Sequence, residues 1–154
     1  MDKGILLDNN ILDVVFVAWF LAQFYKVISS IIIDKKLNIK RLWETGGMPS
    51  SHSSTVSALT TAVGISKGVS SPLFAICLVF AVIVMHDASG IRRAAGKQAG
   101  VLNRLGESLS KIFDEGYVQE QLKELLGHTP VEVLIGAVLG VSVAFLLKFH
   151  LVTG

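Results

Sequence analysis

Apolar residues fall along this chain in long blocks separated by shorter polar and basic segments. From Ile11 to Ile33, 23 residues carry only Asp13 and Lys26 as charges; from Val131 to Val152, 22 residues carry only Glu132 and Lys148, near the ends. Either block is long enough for a helix across a hydrocarbon core, which takes about 20 residues. Pro72 to Met85 is a run of 14 that extends at both ends to a span. Ser53 to Ser66 is the weakest, rich in Ser, Thr, Ala and Gly. It reads as a helix only if it packs on its neighbours through those small residues. The pattern predicts an all-α, integral membrane helical bundle of about four transmembrane helices, forming a single domain over residues 1–154.

The segment 91–127 differs in kind. Val101, Leu102, Leu105, Leu109, Ile112 and Phe113 recur at helical spacing among polar residues, and Leu122, Leu125 and Leu126 repeat the pattern after Gly116. The spacing predicts a cytoplasmic amphipathic helical insertion of one or two helices. Such a helix covers the bundle, lies on the membrane surface or forms a lid over a site.

Composition agrees with the bilayer as solvent: 51% hydrophobic residues, 17% charged and a mean hydropathy of +0.60 are too apolar for an ordinary soluble domain of this length. The single Cys77 excludes an internal disulfide. A net charge of +2, without interleaved aromatic and basic residues, sets nucleic acid aside as a partner. The first apolar block follows Asp8, Asn9 and Asn10 without a basic leader or a small-residue cleavage site, and so reads as an anchor. With four spans, Lys35, Lys36, Lys40 and Arg41 share one side with Arg92, Arg93, Lys97, Arg104, Lys111 and Lys123, ten of the fourteen basic residues. The positive-inside rule then puts both long loops in the cytoplasm and both termini outside the cell membrane.

Polar residues at membrane depth are costly and so point to function. Gln23, Lys26 and Ser30 share one face of the first helix, which should turn into the bundle, although the Lys26 stem can also snorkel to the headgroups. In "GGMPSSHSS", Pro49 suits a helix start, Ser50 or Ser51 is a natural N-cap, and His52 falls in the first turn. Such a terminus accepts an anion such as phosphate, or is simply a capped helix start. "MHDASGIRR" follows the third helix with Asp87 and the paired Arg92 and Arg93, whose forked donors suit phosphate oxygens and also serve as topology determinants. "LGHTPVEV" carries His128, with Glu132 four positions on, inside a Thr129-x-x-Glu132 capping box. The box and a contact to His128 are compatible, because Glu132 stays near the helix start in both. Lys26, His52, Arg92, Arg93 and His128 come from four segments that the topology sends to one membrane face. Cations and histidines without Cys fit phosphate chemistry better than a zinc site.

"GMPSSHS", "DASGIRR" and "LGHTPVEV", in this order, resemble the divergent branch of the type 2 phosphatidic acid phosphatase superfamily, which is related to the vanadium-dependent haloperoxidases. The resemblance runs from "AQFYK" in the first helix to the Gly-containing last helix. The superfamily pattern is K-x6-R-P, P-S-G-H and S-R-x5-H-x3-D on a helical bundle. Lys26 corresponds to its lysine, Pro49, Ser50, Ser51 and His52 to P-S-G-H, Arg92 or Arg93 to its arginine, and His128 with Glu132 to H-x3-D. The chain departs from the pattern in several places. No Arg-Pro follows Lys26, Ser51 stands for Gly, Glu132 stands for Asp, and 35 residues separate Arg92 from His128 where the family has five.

The resemblance implies a metal-independent phosphoric ester hydrolase that needs no cofactor. His128, oriented by Glu132, would attack phosphorus, and His52 would give a proton to the leaving group. Lys26, Arg92, Arg93 and the helix start at Ser50 and Ser51 would hold the phosphoryl oxygens, with Asp87 supporting an arginine. A site just below the headgroups suits a lipid phosphate: phosphatidylglycerophosphate, phosphatidate or a prenyl diphosphate, with the glycerophospholipids favoured. The alternatives are a non-catalytic protein that binds anionic lipid or scaffolds partners, and vanadate-dependent oxidation. Gly136 and Gly140 form G-x-x-x-G, which packs helices within one chain or in a homo-oligomer; internal packing is the more economical reading.

Overall fold

The computed structural model of the protein describes residues 4–34, 47–110 and 127–153, with the side chains of all of these except 30–34, 91–93, 110 and 153. Six helices follow one another: α1 (Asn10–Asp34), α2 (Ser51–Lys67), α3 (Pro72–Ser89), α4 (Ile91–Ser110), α5 (Pro130–Leu146) and the short α6 (Lys148–Thr153). The described residues contain no strand.

Local sequence sets the helix ends. Asn9 accepts from the N–H groups of Ile11 and Leu12 through its side chain at the start of α1. Ser50, Ser71 and Thr129 cap α2, α3 and α5, the last two followed by Pro at the first helical position. Each cap gives an otherwise orphaned N–H an acceptor. At the end of α2, Gly68 has a φ of 83°, and its N–H bonds back to the carbonyl of Gly64; this left-handed region is open to glycine at no steric cost.

Of the four expected spans, the one weakest in hydropathy occupies the centre. α2 packs against α1, α3 and α5, and its hydroxyls find backbone acceptors. Ser54 donates to the carbonyl of Ala18 at 3.1 Å, and Thr60 donates to those of Val56 and Cys77 at 2.8 and 3.1 Å. Small side chains let three helices approach one, and the hydrogen bonds keep buried hydroxyls from being a cost. Along α5, Gly136 lies on the backbone of Ser50 and Gly140 on that of Ser54, so that a methyl group at either position would overlap a carbonyl oxygen. The G-x-x-x-G pair therefore packs inside the chain. It also fixes α2 and α5 side by side in the same direction. Val14, Ala18, Ala58, Ala62, Val143, Ala144 and Leu151 form the core below this contact.

Two stretches are long and apolar enough to cross a membrane, Asn10–Ser29 and Pro72–Leu109; α5 is apolar but shorter, with 17 residues. The outward face of α3 is apolar, with Ile76 and Ile83 more than 60% exposed, as a surface bathed in lipid should be. The apolar block ending at Val152 breaks at Leu147 into α5 and α6. The break brings the His150 ring to 2.9 Å from the Asp13 carboxylate, which also accepts the N–H groups of Ile5 and Leu6; Asn10 donates to the His150 carbonyl. A buried carboxylate needs such donors.

Within the expected insertion, α4 begins immediately after Gly90. It buries Gly96, Gly100 and Asn103 and leaves Val101, Leu102, Leu105 and Leu109 exposed. Residues 111–126, including the second half of that expectation, lie outside the described residues, as does the basic segment 35–46.

Gly136→Ala and Gly140→Ala should each lower stability by about 1–3 kcal/mol, the usual cost of overpacking, read as a lower thermal midpoint in detergent. Gly64→Ala, whose new methyl would meet the mobile edge of the Phe74 ring, should cost less. Equal losses at the three sites would contradict the backbone contact.

Candidate functional site

Two backbone hydrogen bonds assemble one end of the bundle. The N–H of Ser50 donates to the carbonyl of Glu132 at 3.0 Å, and the N–H of His128 donates to the carbonyl of Ala88, also at 3.0 Å. The first ties the start of α2 to the start of α5. The second ties the segment before α5 to the last turn of α3. From α1, Lys26 reaches the same place: it is 3% exposed, and its Nζ donates to Ser51 Oγ at 3.3 Å.

His128 is also 3% exposed. Its Nδ1 lies 3.0 Å from Glu132 Oε2, which accepts the Thr129 N–H at 3.3 Å as well, while the Glu132 N–H donates to Thr129 Oγ1. One carboxylate oxygen thus closes the capping box and holds the imidazole. A carboxylate at Nδ1 favours the proton there and leaves the Nε2 lone pair for chemistry. Among the described residues Nε2 has no hydrogen-bond partner and is buried. The half-buried His52 ring stands 6.0 Å away, centroid to centroid, at an interplanar angle of 66°.

The electrostatic character follows from the same arrangement. α2 and α5 run in the same direction, so their partial positive N-terminal charges add at one place, where the buried Lys26 amine also lies. Such a place attracts anions. Among the described residues no three His, Cys, Asp or Glu side chains come together as a metal set.

Most of the residues singled out in the sequence meet here. Lys26, Ser50, Ser51, His52, His128 and Glu132 lie at this end of the bundle. The Ser50 N–H goes to Glu132, and its hydroxyl accepts from the N–H and the hydroxyl of Ser53. These bonds build the helix start. Asp87 is half-buried in the last turn of α3, beside the Ala88 carbonyl that holds His128. Arg92 and Arg93 lie in the first turn of α4, and their side chains are outside the described residues. His86 is exposed one turn before Gly90.

Sequence reasoning missed both backbone hydrogen bonds. Nothing in residue type marks the Ala88 carbonyl or the Ser50 N–H as an anchor. The nearest signal was Gly136, whose missing side chain makes room for Ser50.

Ser50→Ala should cost about 0.5–2 kcal/mol, as loss of an N-cap does, in thermal unfolding of the detergent-solubilised protein. Ser51→Ala, which removes one long hydrogen bond from Lys26, should cost less. The reverse order would mean that Ser51 caps α2.

Comparison with known proteins places the chain in a wider group. A family described as the divergent PAP2 family matches residues 7–143, a span that contains every candidate residue from Lys26 to Glu132. The "Uncharacterized membrane protein YuiD" of Bacillus subtilis (strain 168) is 41% identical over 153 residues, covering 94% of this chain and 97% of that protein. No solved structure matches.

Proposed function

The chain belongs to the divergent PAP2 family, and from that premise we propose that this membrane protein hydrolyses a phosphate monoester or diphosphate of an amphiphilic substrate through a phosphohistidine. The observation that carries the reading is the state of His128: Nδ1 held by Glu132, Nε2 buried without a partner among the described residues, and the ring next to His52. An oriented imidazole with an unused lone pair has the form of a nucleophile.

In the proposed first step, His128 Nε2 attacks phosphorus. The bond to the leaving oxygen breaks, and protonated His52 gives that oxygen its proton. In the second step, water attacks the phosphohistidine and gives a proton to neutral His52. The nitrogen–phosphorus bond breaks, releasing phosphate and restoring both imidazoles. Glu132 keeps the ring in one tautomer and stabilises the charge it gains. Lys26, Ser51 and the guanidinium groups of Arg92 and Arg93 hold the non-bridging oxygens, with Ser50 shaping the helix start and Asp87 supporting an arginine. Positioning and fixed charge supply most of the acceleration.

The apolar surfaces of α1 and α3 support a bilayer setting. Our reading has four spans, the site on the cytoplasmic side of the cell membrane, both termini outside and α4 as a cover on that side; the distribution of basic residues supports this orientation. The substrate is then a lipid phosphate, with phosphatidylglycerophosphate and phosphatidate favoured. A protein that binds anionic headgroups without turnover is the second reading. The missing Arg-Pro after Lys26 favours it.

Detergent-purified protein should release phosphate from one of a panel of lipid phosphates with a chelator present. His128→Ala should abolish release, and His52→Ala should lower it by about 10²–10⁴-fold, the usual contribution of a general acid. Headgroup binding without release would decide for the second reading.

A further inference from the structure

An apolar groove of about 450 Å³ opens beside the polar site, between α1 and α5. Leu21 and Tyr25 line it from α1, Ile135 and Leu139 from α5, and Met48 and Pro49 from the segment before α2. Its volume is that of a ligand site, typically about 300–1,000 Å³.

Groove and polar site are continuous. Tyr25 directly precedes Lys26, Pro49 directly precedes Ser50, and Ile135 lies one helical turn beyond Glu132. The apolar wall on α1 falls within Asn10–Ser29, the stretch long and apolar enough to cross a membrane. Leu21 is 39% and Tyr25 50% exposed, so the groove is open at the side of the bundle, towards the bilayer. An occupant must therefore be apolar along the groove and anionic at the end where Lys26 and the two helix N-termini add their charge. A packed helix, about 10 Å across, is too broad for this volume and offers no anion at that point.

We propose that the groove holds a hydrocarbon chain of the phosphorylated amphiphile while its terminal phosphate lies at Lys26, so that chain length sets specificity. The inference relies on the phosphatase reading only for what happens to the phosphate, not for binding in the groove. Leu21 and Leu139 are then specificity-determining residues: bulk added at either shortens the chain that fits.

The probe is a long-chain alkyl phosphonate carrying a diazirine at mid-chain, which cannot be hydrolysed, added to the full-length protein in discs of zwitterionic lipid. After illumination, peptides are mapped by mass spectrometry. Label concentrated on Leu21, Tyr25 and Leu139, displaced by an unlabelled alkyl phosphate and not by the matching alcohol, is the expected result. Leu21→Trp, and separately Leu139→Trp, should reduce groove label at least tenfold and lower the ratio of kcat/KM for long-chain over short-chain phosphates by a similar factor. Label spread equally over the outward face of α3, at Ile76 and Ile83, or equal displacement by the alcohol, would overturn the proposal. Groove label without phosphate release from any substrate would overturn the phosphatase reading and support the groove. Phosphate release without groove label would do the opposite.

Discussion

The hydrogen bond from the Ser50 N–H to the Glu132 carbonyl is the contact on which this end of the molecule depends. It forms because Gly136 has no side chain; a Cβ there would occupy the space of the Ser50 backbone. The bond sets the first turns of α2 and α5 against each other, and several of the polar groups nearby are positioned from those two turns. His52 leaves one of them and Glu132 the other. His128 stands one residue before the Thr129 cap, with its own N–H fixed to Ala88. Two parallel helices with adjacent N-termini repel through their dipoles, so the close backbone packing holds in place a concentration of positive potential that would otherwise disperse.

The two ends of the bundle treat buried charge differently. At one end Asp13 is saturated: two backbone N–H groups and the His150 ring meet its carboxylate. That arrangement ties the residues before α1 to α6 and leaves little for a ligand. At the other end Lys26 donates to a hydroxyl, Ser51, and His128 has one ring nitrogen satisfied and one not among the described residues. Buried groups left partly unsatisfied cost stability, and a site that must receive an anion is where that cost has a use. In the proposed reaction the phosphoryl group completes what the protein leaves open.

The amphipathic character of that end extends sideways. Residues adjacent in sequence to Lys26 and Ser50 line an apolar groove, so each local segment contributes one polar group inward and one apolar wall outward. Helical geometry does this without special design. Neighbouring positions on a helix point about a hundred degrees apart, and Tyr25 and Lys26 therefore face different surroundings, one the groove and the other the interior.

The sequence alone determined the helical class, the apolar blocks, two of the capped helix starts and the contact of Glu132 with His128, because each rests on interactions within a few positions: hydropathy over a helix length, an N-cap hydroxyl, a carboxylate four residues from a histidine. Glu132 shows how far this reaches, since both its capping role and its contact with His128 are local and could be read together. Other features were decided by tertiary structure. Hydropathy made α2 the weakest candidate, yet it is central, because close packing of small residues matters more there than apolar area. The last apolar block looked continuous, yet it breaks at Leu147, and the residues beyond the break bring the His150 ring to Asp13, far away in sequence. The Ser50 N–H could turn to a ligand or to the protein, and it goes to the Glu132 carbonyl. In all three the deciding partner lies on another helix or is a backbone atom, and a backbone carbonyl or N–H is the same at every residue type until the fold says which one is near.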